Sequence, residues 1–311
     1  GRQLFVDDFL IEESSLARTF HKAQYHPGNP VLRPETKWEL RDEYADRTQT
    51  KPNPAAMPFS DGVFYDPADG LFKMWYMGGY SLNTCLALSK DGISWERPDL
   101  DVTKGTNIVL THPRDSSTVW LDHENRDGRG RFKMAFYNGS EGGLLMFTSA
   151  DGVHWQQVGK SRNRGDRSTF FWNPFRQVWV FSLRDDVNGN QRHRRYFESR
   201  DFATSQWKLS ETPLWIGADS RDLWRPELYN LDCVAYESLV LGLFTIWHGE
   251  HTAREKPNDI SVGFSRDGFH WSRPNREAFI AVSETAGVWN WANVQSAGGC
   301  CLTVRDRLYF Y

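Results

Sequence analysis

Several features that would assign a protein to a familiar class are missing from this 311-residue chain. It has four cysteines and no C-x-x-C pair, which excludes the usual cysteine metal motifs and favours buried free thiols. The net charge is −3 and basic residues do not cluster, so neither a nucleic acid nor an anionic membrane is indicated as a partner. The nine histidines lack zinc-ligand spacing, and we expect no metal and no cofactor. The cysteines are Cys85, Cys233, Cys300 and Cys301.

Long apolar runs and helical periodicity are missing as well. The longest apolar stretches, such as residues 239–247, are too short to cross a bilayer, so membrane insertion is not expected. No segment of eleven or more residues has a convincing helical period. The motifs G-x-S-x-G, the P-loop and G-x-G-x-x-G after a strand are also absent. These absences favour an all-β protein.

Aromatic side chains are what the sequence has in abundance. Hydrophobic residues make up only 39% of the chain, but aromatics reach 14%, with 14 tryptophans. This combination fits many short strands around a core of large rings. Flat rings also stack on the apolar faces of sugars, although we expect most of these tryptophans to be core residues.

One motif repeats along the chain. It occurs as SKDGISW at residues 89–95, SADGVHW at 149–155 and SRDGFHW at 265–271, with a degenerate copy at 199–207. Its aspartates are 60, 50 and 66 residues apart, the length of a four-stranded propeller blade with generous loops. Asp-Gly between apolar runs is a strong hairpin signal, because glycine accepts positive φ and aspartate bonds nearby backbone N–H groups. The motif resembles the Asp-box of propellers and is interpreted as structural, with Trp95, Trp155 and Trp271 mostly buried.

A second hairpin precedes each copy of the motif, which completes the blade pattern. Four full blades follow in order, and a fifth hairpin begins at Val294. The sequence therefore predicts an all-β, five-bladed β-propeller with four-stranded antiparallel blades and one domain over residues 1–311. The apolar run at residues 3–11 is the candidate strand that completes blade five, because a propeller must close its ring to remove open edges. The chain stops inside an apolar run at residues 308–311, which favours a further short C-terminal piece.

The carboxylates are expected at the central funnel, where inner strands begin. An ungapped alignment of blades one and four places Asp61 opposite Asp232. Asp66 falls at the turn between two strands and is interpreted as a structural turn residue. Glycosidic bond cleavage needs a proton donor and a second carboxylate whose pKa values are pushed apart. Aspartate before glycine or serine also caps turns, so a structural role is the alternative to a catalytic role for each of these acids. The funnel acids are Asp61, Asp115, Asp166, Glu227 and Asp232, with Glu237 as a reserve candidate; of these, Asp61, Asp166, Glu227, Asp232 and Glu237 are the catalytic candidates.

Other polar side chains near the same strand starts suit a sugar. Amides and rings at the opening of blade five combine hydrogen bonding with stacking. Arg194, Arg195 and Tyr196 begin an outer strand and are interpreted as a solvated surface. His248 and Glu250 end a strand of blade four. The predicted substrate-binding residues are Lys51, Asn53, Arg167, His248, Trp289, Asn293 and Gln295.

With this pattern the chain resembles the five-bladed propeller superfamily of glycoside hydrolases, which includes families 43 and 32. More narrowly, GDRST at 165–169, YNLDCVAYES at 229–238 and NVQS at 293–296 are similar to family-32-like bacterial proteins and to family 143. That resemblance implies release of the acidic keto-sugar Dha from rhamnogalacturonan II. The superfamily places one acid at an inner strand start in each of three successive blades, and Asp61 matches the first. The family-32 signatures are absent, which argues against ordinary fructan cleavage and leaves the other two roles open.

Three functions remain open from the sequence. The first is a glycosidase that acts on a polysaccharide such as pectin and releases Dha or arabinofuranose. The second is a sialidase-like enzyme with a tyrosine nucleophile and an arginine cluster, favoured by the Arg-rich loop at 162–167. The third is a non-catalytic carbohydrate-binding propeller. A polysaccharide substrate favours a periplasmic or secreted location.

Overall fold

A computed structural model describes residues 1–125, 128–161, 165–187, 191–203, 207–222, 225–249 and 256–311. The regular secondary structure of the described residues is almost entirely β-strand, with one short helix, α1 (Glu43–Thr48), and a 3-10 turn at Leu209–Glu211. The strands are β1 (Ala56–Asp66), β2 (Leu71–Gly78), β3 (Asn83–Ser89), β4 (Ile108–Leu110), β5 (Ser117–Leu121), β6 (Phe132–Asn138), β7 (Gly143–Ser149), β8 (Gln156–Lys160), β9 (Thr169–Asn173), β10 (Val178–Val187), β11 (Gln191–Ser199), β12 (Leu214–Gly217), β13 (Glu227–Tyr236), β14 (Leu239–Trp247), β15 (Asn258–Ser265), β16 (Leu302–Val304) and β17 (Arg307–Tyr309).

The strands form antiparallel meanders that run in sequence order. Sheets β1–β4, β5–β8 and β9–β12 have four strands each, and β13–β15 has three. The first strand of each sheet lies innermost, because β1 contacts β5, β5 contacts β9, and β9 contacts β13. A shared apolar core runs between these four sheets. This arrangement confirms the predicted all-β propeller of four-stranded antiparallel blades.

The predicted number of five blades is not confirmed. Four blades are formed, and the described residues after the fourth blade contain the two-stranded ribbon β16–β17. The prediction that residues 3–11 complete blade five is wrong, since this described segment forms no strand. Instead Arg2 pairs with Glu237 at 2.7 Å and Asp7 pairs with Arg266 at 2.7 Å, which hold the segment against blade four. The single-domain assignment stays a prediction.

The repeated motif is structural, as its turn chemistry predicted. In the second copy, Asp151 Oδ1 accepts hydrogen bonds from the backbone N–H groups of Val153 and His154, both at 2.8 Å. Gly152, which follows Asp151 in this turn, has φ of +80°, a conformation that favours glycine. Trp75 of blade one donates its indole N–H to the Gly152 carbonyl at 2.9 Å. The motif therefore closes its own turn and also joins neighbouring blades.

The tryptophans of the motif are mostly buried packing residues, as the repeat predicted. Trp95, Trp155 and Trp271 pack against the core with a minor part of each side chain exposed, whereas Trp75 is completely buried. The motif lies in the turn that follows the third strand of its blade, at the edge of the sheet. Each ring therefore packs one face on the core and leaves part of the other to solvent.

The turn aspartates predict an acid-sensitive fold. Hydrogen bonds from the N–H groups of Ser94 and Ile93 lower the pKa of Asp91 to about 2. The pKa of Asp151 is also lowered to about 2, since hydrogen bonds from His154 outweigh the effect of burial, which raises it. An unfolded aspartate titrates near about 3.9. The stability that these groups supply is therefore complete above about pH 4 and is lost as the pH falls towards 2.

We expect the melting temperature to fall over that interval. Asp151→Asn should lower the melting temperature at pH 7 and flatten its decrease between about pH 4 and 2, because the variant lacks the titrating group. Thermal unfolding of both proteins across this range measures the effect. A variant curve parallel to the wild-type curve would contradict it.

Two other structural assignments are confirmed. Asp66 is a buried turn residue whose carboxylate pairs with Lys73 at 2.7 Å and with Arg131. All four cysteines are free and buried. No helix in the described ranges has the length and hydropathy needed to cross a membrane.

Candidate active site

The inner strands become irregular where they begin, and this shapes the mouth of the funnel. The register of β1 shifts between Met57 and Gly62, and Ser60 inside the shift has φ of +64°. The register of β13 shifts between Leu228 and Asn230, which leaves Tyr229 between the two ladders. Arg167, just before β9, has φ of +56°. Bulges and left-handed non-glycine residues re-aim side chains and are concentrated at functional sites.

Asp61 does not lie at a solvent-accessible mouth, where the sequence predicted it. Its side chain is completely buried and forms a two-point pair with Arg114 at 2.5 and 2.9 Å. It also accepts the backbone N–H of Phe59 at 3.0 Å. Burial raises the pKa of Asp61, and the Arg114 guanidinium opposes that effect. These contacts make Asp61 part of the floor of the site.

Asp232 is buried too, although it holds the predicted equivalent place on β13. Its Oδ2 accepts from Ser296 at 2.6 Å, Asn230 at 2.7 Å and Ser60 at 3.1 Å. Burial raises the pKa of Asp232, against the effect of the Ser296 hydrogen bond. The network joins blades one and four to the segment that precedes β16.

Arg167, a predicted binding residue, joins three parts of the funnel. It is buried, and its Nη2 donates to Ser60 Oγ at 3.0 Å and to Gln295 Oε1 at 2.7 Å. Its guanidinium lies 3.8 Å from the centre of the Phe59 ring. Gln295 in turn donates to Asn293 at 2.9 Å. The structure therefore brings together three of the predicted binding residues.

Two partly exposed carboxylates lie above this floor. The side chain of Glu227 is 17% exposed and lies 3.6 Å from Arg192. The side chain of Asp166 is 30% exposed and pairs with Arg184, which also binds Asp186 at 3.0 Å. Burial raises the pKa of Glu227, and Arg192 lowers it by less. Solvent therefore reaches both of these predicted acids.

Asp115 is a third acid at the mouth. Its Oδ1 accepts the N–H of Ser116 at 2.6 Å, and the residue is half-buried. Burial raises the pKa of Tyr80, and the charge of Asp115 raises it further. Asp115 and Tyr80 are therefore electrostatic neighbours on the side of blades one and two.

Positive charge surrounds the displaced residue of β13. The Tyr229 ring has Arg192 at 4.6 Å, Arg167 at 5.9 Å and Lys256 at 6.0 Å from its centre. Guanidinium and ammonium groups are attracted to aromatic faces at such distances. Tyr229 and Arg167 are buried, so Arg192 and Lys256 are the cations of this cluster that solvent reaches and that can bind an anionic or polar ligand group.

A cavity of about 1640 Å³ adjoins this cluster. Its walls include the predicted binding residues Asn53, Trp289, Asn293 and Gln295, together with Tyr229. Trp289 is half exposed and meets Tyr25 edge to face at 5.3 Å.

The structure does not bring every predicted residue to the mouth. Glu237 lies at the far end of β13 from Glu227, in the turn to β14, where it binds Arg2. Lys51 is exposed in the segment after α1. His248 directly follows the last residue of β14 and contacts Asp259 at 2.9 Å. Glu250 and residues 162–164 lie outside the described residues.

Arg194 was wrongly interpreted as a solvated surface residue. It is completely buried and donates to the backbone carbonyls of Arg167, at 2.5 Å, and Tyr229. Consecutive residues of a strand face opposite sides. Because Arg194 and Arg195 are neighbours on β11, one of them had to face inward, and that signal was present in the sequence. Within the described ranges, no group of three or more His, Cys, Asp or Glu side chains is placed to hold a metal ion.

Comparisons with solved structures agree on the fold. The protein is similar to an endo-1,4-β-xylanase from Bacteroides thetaiotaomicron, with 12% identity, 80% and 82% of the two chains covered and a TM-score of 0.55. It is also similar to a thermostable family-43 glycoside hydrolase, with 11% identity, 76% and 78% covered and a TM-score of 0.54. An N-acetylgalactosamine deacetylase from F. plautii matches at 14% identity, with 79% and 80% covered and a TM-score of 0.54.

A further neighbour is named as a complex of BT0996 and RGII, with 12% identity, 75% and 78% covered and a TM-score of 0.50. No family model and no curated protein matches the sequence. At these identities the neighbours establish the propeller fold, and the reaction has to be argued from the site.

Proposed function

We propose that the protein is a glycoside hydrolase that acts at the funnel mouth. The observation that carries this proposal is a half-buried carboxylic acid, Glu227, whose pKa is raised by burial, with a second carboxylate, Asp166, on the neighbouring blade. Two of the solved structures to which the protein is similar bear the names of glycoside hydrolases. The fold alone would not separate them from the deacetylase neighbour, so the acids are the deciding feature.

The two acids suit opposite roles. A raised pKa keeps Glu227 protonated further towards neutral pH, as a proton donor to the leaving oxygen requires. Asp166 is held by Arg184 as an ion pair and would act as base or nucleophile. Asp115 is the alternative for that second role. Asp61 and Asp232 then support the floor of the site.

The substrate proposed is an acidic sugar of a complex pectin. Arg192 and Lys256 place two solvent-accessible cations beside Tyr229, the buried Arg167 adds positive charge, and a carboxylate-bearing sugar would match that charge. The neighbour named with RGII supports rhamnogalacturonan II as the polysaccharide, and the resemblance to family 143 implies Dha as the sugar. Arabinofuranose from arabinan is the neutral alternative. Gln295, Asn293 and Trp289 would bind the hydroxyl groups and one ring face.

One observation favours a second mechanism at the same place. Tyr229 stands among the cations, as a tyrosine nucleophile of a sialidase-like enzyme would. In that case Glu227 would act as the base for the tyrosine hydroxyl rather than as the proton donor.

Incubation with rhamnogalacturonan II and arabinan oligosaccharides tests the function. We expect release of an acidic monosaccharide from the first, detected by mass spectrometry, and little release from the second. Calorimetric titration with the same oligosaccharides separates binding from hydrolysis. Binding without release from either polymer would replace the hydrolase by a carbohydrate-binding propeller.

A further inference from the structure

Arg194 is a buried cation that binds only backbone among the contacts described for it. It lies on β11, and its two terminal nitrogens donate to the carbonyl oxygens of Arg167, at 2.5 Å, and Tyr229. The first acceptor precedes β9 of blade three and the second lies on β13 of blade four. One side chain therefore links the inner strand starts of two blades.

Burying the Arg194 guanidinium in this way lowers the free energy of unfolding. No carboxylate contacts the Arg194 guanidinium in the described ranges, and its Nε has no hydrogen-bond partner there. Burial, with the nearby charges of Arg167 and Arg184, lowers the pKa of Arg194 to about 9, although the charge of Asp232 opposes this effect. Charged groups are rarely buried without an opposite charge, and well-packed apolar side chains often replace them without loss of stability. Core packing alone does not explain an arginine here.

The two acceptors share an unusual backbone. Arg167 has a left-handed φ of +56°, and Tyr229 stands in the register shift of β13. Such conformations persist only where the surroundings hold them. Arg194 bonds directly to both, and the guanidinium of Arg167 lies 5.9 Å from the centre of the Tyr229 ring.

We propose that Arg194 is a positioning residue for the funnel mouth. By binding both carbonyls it fixes the inner strand starts of blades three and four relative to each other. The guanidinium of Arg167, the ring of Tyr229 and the carboxyl of Glu227, two residues before Tyr229, keep their spacing through this link. The effect on catalysis rests on the proposed hydrolase function, whereas the effect on the backbone does not.

The test is amide hydrogen exchange with Arg194→Met, which keeps an unbranched stem as far as the position of Nε and removes the guanidinium donors. We expect exchange about tenfold faster or more in peptides covering 165–170 and 226–232, with other blades unchanged, because local opening governs exchange. On rhamnogalacturonan II oligosaccharides kcat should fall about 10²-fold with a small change in KM, the scale for displaced reacting groups. Arg195→Met is the matched control, since Arg195 faces the other side of β11 and pairs with Asp185 at 2.6 Å.

Three results would decide against the proposal. Wild-type exchange in both segments of Arg194→Met is one, and an equal increase in all four blades is another, since that would indicate general loss of core stability. If Arg194→Met does not fold, Arg194→Lys replaces it, because an ammonium can donate to one carbonyl but lacks the fork for both. Faster exchange in at least one segment is then expected, and unchanged exchange in both is the third contrary result. A wild-type protein that cleaves no sugar would overturn the hydrolase function alone and leave the exchange result standing.

Discussion

Glu227→Gln is expected to lower turnover about 10²-fold or more while the melting temperature stays within a few degrees of wild type. A positioned proton donor contributes on this scale, and glutamine cannot supply the proton. Glu227 is partly exposed and its contact with Arg192 is long, at 3.6 Å, so the fold loses little. Initial rates of sugar release at saturating oligosaccharide measure the effect.

The pH profile separates this role from a merely structural one. Because burial raises the pKa of Glu227, the wild-type rate should decrease as the pH rises through that value and the donor loses its proton. In Glu227→Gln this alkaline decrease should disappear. Glu237→Gln is the matched control, because it makes the same change in the turn at the other end of β13. Equal turnover in all three proteins would remove Glu227 from the mechanism, and Tyr229 would become the leading candidate.

The elements that were predictable from the sequence are those with a local cause. The turn motif is complete within seven residues, since Ser149 and Asp151 bond the N–H groups of the same turn. Its repetition was therefore sufficient to predict the blades. Residues 3–11 have the composition of a strand but no local feature that selects a partner, and distant charges on Glu237 and Arg266 place them elsewhere.

In the site as well, the sequence predicted local positions but not the contacts made by distant segments. The alignment placed Asp61 and Asp232 at equivalent positions, because their distance from the following turn is fixed by strand geometry. It did not show what covers them. Arg114 comes from the segment before blade two and Ser296 from the segment before β16, and both contacts depend on how the blades close around the funnel. The carboxylates that remain open, on Glu227 and Asp166, could be recognised only after those contacts were known.

Asp61→Asn should therefore act on stability, although the sequence placed Asp61 among the catalytic candidates. The substitution leaves the Arg114 guanidinium buried without its counter-charge, and breaking such a pair costs about 3–5 kcal/mol. Arg114→Met should cost a similar amount, because it leaves the Asp61 carboxylate buried without its counter-charge. Urea denaturation at pH 7 measures the free energy of unfolding for each.

The double variant Asp61→Asn/Arg114→Met gives the sharper result. Because neither charge remains unpaired, its loss of stability should be smaller than the sum of the two single losses by about 1 kcal/mol or more, within the range seen for contacting residues. Asp69→Asn is a suitable control, since Asp69 pairs with Lys73 at the exposed turn of the same blade. Additive losses in the double variant, or a single variant as stable as the control, would mean that the Asp61–Arg114 pair does not support the floor of the site. A stable Asp61→Asn protein with turnover reduced about 10²-fold would instead return Asp61 to the catalytic acids.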